Sequence, residues 1–383
     1  MPPGGDPPPD PPPRPLSLRH LSGDGAIGEF PDMMPGGAAT MSHRGVRDMR
    51  PSIIALCALF VSSATASQTP ARTPVIDMHI HAYGAGGEGP PSYVCVPFPK
   101  WLPLDPGKGG TGLPTYMKEM FGDPACPNRF FSAGSDDELR TRTIAALRRN
   151  DVYAVAGGTP AYVDRWLADE PDRLIPAVGA GAPDRLPSID ELRKRHAAGR
   201  LKVLSELSFQ YQGIRPDDPR IEPYWSLAEE LDIPVGIHMG PGPPGITYFA
   251  TPGYRAALSD PLLLEPVLVR HPKLRVFVMH AGYPFKDQMM ALMAAHPQVY
   301  AEFGFLTAGY RDSDIWPYLR AFIDAGFEDR ILYGTDQMVW PDLVDASLVR
   351  VRKAPGISAA VKRKFLYENA ARFLRIDPAG VMK

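Results

Sequence analysis

From residue 75 onward the chain repeats one unit eight times: a short, apolar, β-branched run, then an amphipathic helical stretch. The runs are 75–80, 152–156, 174–178, 202–207, 234–238, 275–280, 299–303 and 330–333. Strands that are apolar at nearly every position must be covered on both faces, which parallel strands flanked by helices achieve. The helical stretches fall at 135–150, 162–168, 188–198, 223–231, 259–270, 285–295, 313–325 and 341–353, with a closing helical pair around 358–375. In the first, Ser135 and Glu138 form a capping box, and Leu139, Ile144 and Leu147 recur at helical spacing. The pattern predicts an α/β fold, a (β/α)8 TIM barrel forming one domain over 75–383. About 310 residues is within the usual size of such a barrel. A doubly wound open sheet is the competitor, but no Gly-x-Gly-x-x-Gly follows any run, which weakens its dinucleotide-binding version.

In a barrel of this kind the chemistry sits at the C-terminal ends of the strands. The first run ends His79-Ile80-His81, and residues two apart on a strand share a face, so the two imidazoles project side by side. The fourth run carries Glu206, the fifth ends at His238, the sixth at His280, and Asp336 follows the eighth. Any one such histidine alone reads equally as a hydrogen-bonded core residue. Four of them converging with an aspartate point to a metal site, because charged or imidazole groups after apolar runs are costly unless paired or metal-bound. The other five histidines read differently. His20 and His43 lie in the leader, and His196, His271 and His296 are expected to be surface or capping residues. Glu302 in the seventh run stands outside the core set, as a substrate-binding group or a buried partner of Tyr300 or Arg311. Asp77 is expected to orient the first strand or a neighbouring arginine.

The order of these groups resembles the amidohydrolase superfamily of metal-dependent barrels. The surrounding residues are most similar to the amidohydrolase-related branch that contains aminocarboxymuconate-semialdehyde decarboxylase. The resemblance rests on Val75–His81, Pro234–Gly240, Met279–Pro284, Leu332–Asp336 and Glu368–Leu374, and spans 75–376. It implies that His79, His81, His238 and Asp336 hold a divalent metal, with Zn2+ expected and manganese or iron able to use the same donors. It also implies that His280 is a base beside the metal, and that Asp336 or His280 carries the proton in catalysis. The stretch Ser205–Tyr211 resembles the deoxyribonuclease-like branch, in which a glutamate bridges two metals. In that case Glu206 would bridge, and His238 and His280 would bind a second ion. Otherwise Glu206 orients a histidine and one ion is present. The implied activity is metal-dependent hydrolysis of an amide, ester or lactone of a small molecule. The alternative is non-oxidative decarboxylation of an aromatic or unsaturated carboxylic acid, which a basic pocket residue such as Arg311 or Lys286 would favour.

The front of the chain differs in composition. Residues 1–40 are Pro/Gly-rich without periodicity, and are expected to be a disordered arm or an upstream over-extension of the reading frame. A basic stretch from Met41, the apolar run Ile53–Val61 and Ala64-Thr65-Ala66 form a signal peptide over 41–66, with a linker at 67–74. The apolar run is too short to span a membrane. An exported, periplasmic or extracellular protein is therefore expected, with no membrane partner once the signal is cleaved. Cys95 and Cys126 bracket one Gly/Pro-rich loop: a disulfide across it is one reading, two separate buried thiols the other. That loop, 83–134, leaves the His-x-His end of the first run, so a lid or pocket wall is expected there. A formal net charge of -2 gives no sign of nucleic acid as a partner. A small-molecule substrate is expected, and a homodimer stays open.

Overall fold

The computed structural model describes residues 73–98, 128–243, 245–249 and 251–376. The expected arm, signal peptide and most of the linker lie outside them. Eight strands form one sheet in which every paired neighbour is parallel: β1 (Val75–His81), β4 (Val152–Gly157), β5 (Leu174–Ala180), β6 (Val203–Leu207), β7 (Val235–His238), β8 (Val276–Met279), β9 (Val299–Glu302) and β10 (Ile331–Leu332). Their spatial order is their order in the chain. Two backbone bonds, Met78 N to Tyr333 O at 2.9 Å and Asp336 N to His79 O at 2.7 Å, bring the last segment back onto the first strand. The sheet is thus the TIM barrel the repeat predicted.

Each strand is followed by a helix: α1 (Asp136–Asn150), α2 (Pro160–Asp169), α3 (Ile189–Ala197), α4 (Glu222–Glu230), α5 (Glu265–Arg270), α6 (Lys286–Ala295), α7 (Asp312–Asp324) and α8 (Leu343–Lys353). Ser135 caps α1 by accepting from Glu138 N. The fifth helix is shorter than the spacing predicts. Pro261 and Pro266 lack the N–H that a continuous helix needs, and 256–264 forms two 3-10 turns instead. Residues 359–374 make one helical run with a wider turn at Lys364–Glu368, not a pair. None of the described helices is long and apolar enough to cross a membrane.

Inside the barrel, Ile76, Met78, Val155, Ala177, Val203, Phe277, Met279 and Leu332 pack with Tyr367, Ala370, Ala371 and Phe373 of the closing segment. Two register shifts lift the chemistry out of this apolar layer. β1 carries an extra residue between Asp77 and Ile80 relative to β4, and β6 carries one between Leu204 and Leu207 relative to β7. A bulge exchanges the faces on which alternate residues lie. Below the shifts Ile76, Met78 and Val203 face the inner layer, and above them His79, His81 and Glu206 do.

The excursion after β1 is not structureless. β2 (Tyr93–Cys95) and β3 (Arg129–Phe131) pair antiparallel, and Trp340 Nε1 donates to Ser92 O at 3.1 Å, joining this ribbon to the segment after β10. Cys95 is disulfide-bonded. Cys126 lies outside the described residues.

Candidate metal centre

All six expected site residues meet at the C-terminal end of the barrel. His79 and His81 end β1, with their Nε2 atoms 3.1 Å apart. Asp336 Oδ1 lies 2.8 Å from His81 Nε2 and 3.4 Å from His79 Nε2. Glu206 stands between the two halves of the group. Its Oε2 is 3.5 Å and 3.6 Å from the Nε2 atoms of His79 and His81. Its Oε1 is 3.7 Å and 3.8 Å from those of His238 and His280. The ring of His238 lies edge-on to that of His280 at 4.3 Å. Three overlapping triads have donor atoms close enough to share an ion: His79–His81–Glu206, Glu206–His238–His280 and His79–His280–Asp336.

The backbone holds these side chains in unusual conformations. His280 and Asp336 have φ of 57° and 53°, the left-handed region that non-glycine residues rarely occupy and that clusters at functional sites. The peptide carbonyl of Gly304 accepts from His280 Nδ1 at 2.9 Å, which turns His280 Nε2 toward the centre. Gln337 clamps the end of β1, accepting from His81 N at 2.8 Å and donating to His81 O at 3.1 Å.

The electrostatics suit a cation. Burial works against the Glu206 carboxylate, but His238, His280 and His79 outweigh it and hold its pKa well below the ordinary range. Burial also opposes ionised Asp336, and His79 and His81 overcome it. Burial, reinforced by His280, pushes His238 down to about 3. Burial disfavours a charged His79, yet Asp336, Glu206 and Glu302 raise it well above the usual histidine value. Two ionised carboxylates among imidazoles are a donor set for a divalent ion. His280 Nε2, buried and without a hydrogen-bond partner, is a free donor aimed at it.

A family model for amidohydrolases matches residues 76–376. The chain belongs to the amidohydrolase family. No curated protein matches it. Among solved structures it is similar to an uncharacterised TIM-barrel protein from Bordetella bronchiseptica, with 20% identity over 66% of this chain and 88% of that one and a TM-score of 0.49. It is similar to 5-carboxyvanillate decarboxylase from Sphingomonas paucimobilis, with 15% identity over 80% and 100% and a TM-score of 0.49. A provisionally assigned 2-pyrone-4,6-dicarboxylic acid hydrolase from Acinetobacter baumannii has 14% identity over 79% and 99%, with a TM-score of 0.50. This amidohydrolase is therefore an enzyme of a metal-dependent superfamily, with a centre able to hold an ion.

The remaining residues of the amidohydrolase that the sequence singles out meet their expected roles only in part. Glu302 is neither a partner of Tyr300 nor of Arg311. It is fully buried, with Oε2 3.4 Å from His79 Nδ1. Arg311 pairs with Asp314 at 2.8 Å, Lys286 lies near Asp287 at 3.7 Å, and neither lines the cavity over the centre. His271 caps the C-terminal end of α5, as one of its two expected roles had it, but it is buried and not at the surface, with Nε2 2.8 Å from Glu222 and Nδ1 3.1 Å from Glu229. Asp77 orients β1, the first of its two expected roles, and not an arginine. It accepts from His79 N at 3.0 Å, Thr335 N at 2.9 Å and the Thr335 hydroxyl, tying β1 to the segment after β10. Burial pushes its carboxyl up to about 7 against these three donors. Asp77→Ala would strand all three, and is expected to cost about 3 kcal/mol or more of stability in urea unfolding. A loss below about 1 kcal/mol would show that the contacts are dispensable.

The cavity over the centre measures about 450 Å³. Tyr83, Phe98, Tyr211, Phe305, Tyr310 and Met338 form much of its wall, with Glu88, Glu206 and Asp336 as its carboxylates. Among the described residues no arginine or lysine lines it. Tyr211, after β6, brings its hydroxyl 3.4 Å from His238 Nε2 and stacks on Tyr254.

Proposed function

We propose that this amidohydrolase hydrolyses an amide, ester or lactone of a small molecule, using two divalent ions. The observation that carries the two-ion reading is Glu206, whose oxygens divide between the two histidine pairs. His79, His81, Asp336 and Glu206 would hold one ion, and Glu206, His238 and His280 the other. Zinc suits these nitrogen and carboxylate donors, and manganese is the alternative. When bound, divalent metal supplies Lewis acidity that polarises a carbonyl and acidifies water. Asp336, at the cavity floor, takes a proton from the attacking water. It returns that proton to the leaving oxygen or nitrogen as the carbon–heteroatom bond breaks. The Tyr211 hydroxyl beside His238 is positioned to donate to a substrate oxygen, and the aromatic wall offers an apolar surface to the rest of the substrate.

Hydrolysis is preferred to decarboxylation because, among the described residues, no arginine or lysine lines the cavity to take a substrate carboxylate. The two cations expected to favour an acid substrate, Arg311 and Lys286, lie elsewhere. The test is to incubate zinc- or manganese-loaded protein with lactones, esters, amides and aromatic acids while recording acid and carbon dioxide release. Acid release without carbon dioxide is expected. Carbon dioxide from an aromatic acid, with no hydrolysis of any ester or lactone, would favour the decarboxylase. We also place the mature protein outside the cytoplasm, on the strength of the basic and apolar stretches of 41–66. N-terminal sequencing of exported protein should begin close after Ala66, and a start near Met1 would contradict this.

A further inference from the structure

Glu302 presents a problem that its surroundings answer. It ends β9 with no exposed surface, and neither of its carboxylate oxygens has a hydrogen-bond partner. A buried carboxylate in that condition is costly and is retained only where something offsets it. The group facing it is His79 Nδ1, 3.4 Å from Oε2 and itself unpartnered. The chain also clears space for this pair. A Cβ at Gly304 would lie 2.6 Å from Glu302 Oε1 and 2.7 Å from His79 Nδ1, between the two groups. A Cβ at Gly334 would collide with Glu302 Oε1. On the far side of the same ring, His79 Nε2 faces His81, Asp336 and Glu206. Glu302 is in none of the triads that could share an ion, so it acts on the centre through His79.

We propose that Glu302 is a positioning residue: it accepts the Nδ1 proton of His79 and so keeps the Nε2 lone pair directed at the metal centre. The proposal rests on reading that centre as a metal site. Carboxylates behind metal-bound histidines typically account for about 10–100-fold in metal affinity. Two variants remove the acceptor to different degrees. Glu302→Gln keeps the shape and one weaker acceptor, and Glu302→Leu removes it. Gly304→Ala keeps both partners and drives a methyl group between them.

The experiment measures zinc affinity by competition with a chromogenic chelator, together with the unfolding midpoint of metal-free protein. The expected result is a graded loss: about 10-fold for Glu302→Gln and about 100-fold for Glu302→Leu, with Gly304→Ala also weakened. If Glu302→Leu does not fold, Glu302→Gln and Gly304→Ala decide the question. Wild-type affinity in both, even with a lowered metal-free midpoint, would make Glu302 a packing residue and overturn the proposal. Wild-type protein that binds no zinc would overturn the reading of the centre and this proposal with it.

Discussion

Asp336→Asn is expected to lower kcat by about 10²–10⁴-fold through lost proton transfer, and further through a weakened metal site. The substitution is chosen because asparagine tolerates the left-handed backbone that Asp336 adopts at φ 53°. It also fills the same volume against His81 and His79. The fold should therefore survive, as unchanged circular dichroism and a similar unfolding midpoint would show, while the amide can no longer take a proton from water. The loss should fall on kcat more than on KM, because Asp336 acts on the reacting atoms rather than on the aromatic wall. A variant with kcat within a few-fold of wild type would move the proton-transfer role to His280, whose Nε2 is buried in the centre without a hydrogen-bond partner.

Stripping the metal should have the second-largest effect. Chelation is expected to abolish turnover and to lower the unfolding midpoint, with both restored by added zinc or manganese. A ligand present at 100 times its Kd adds about 2.7 kcal/mol to stability, and for a chain of this size that corresponds to about 5 °C. The reason lies in the group itself. Without an ion, Glu206 and Asp336 confront four imidazoles, of which His79 is driven toward its charged form and His238 toward its neutral one. Bound cations would replace that uneven arrangement with one in which every donor faces a positive charge. His238→Ala should reproduce much of the loss of turnover, because it removes a donor on one side of Glu206. Full activity after exhaustive chelation would rule out metal-dependent chemistry.

The barrel and the six centre residues are legible in the sequence for one physical reason. Strands covered on both faces read as apolar runs, so a polar residue at the end of such a run stands out. His79, His81, Glu206, His238, His280 and Asp336 are visible in this way. Glu302 ends β9 in the same manner and bears the same signal, but the adjacent Tyr300 and nearby Arg311 offered it apparent partners. Only the fold shows that Tyr300 packs on Phe373 at 4.4 Å and that Arg311 pairs with Asp314. The shifts in β1 and β6 are not legible, because no residue type marks a bulge there, yet they bring His79, His81 and Glu206 onto the inner face. The burial of His271 is hidden for a related reason: its glutamate partners are seven residues apart on α4, and only helix packing brings that face to the end of α5.

Whether Glu206 joins two histidine pairs into one two-ion metal centre is tested most directly by elemental analysis of purified, zinc-saturated protein alongside Glu206→Gln. Two equivalents of divalent metal per wild-type chain are expected, and at least one fewer in the variant. Wild-type protein that retains one equivalent or none, or a Glu206→Gln variant that keeps the full wild-type content, would contradict that reading.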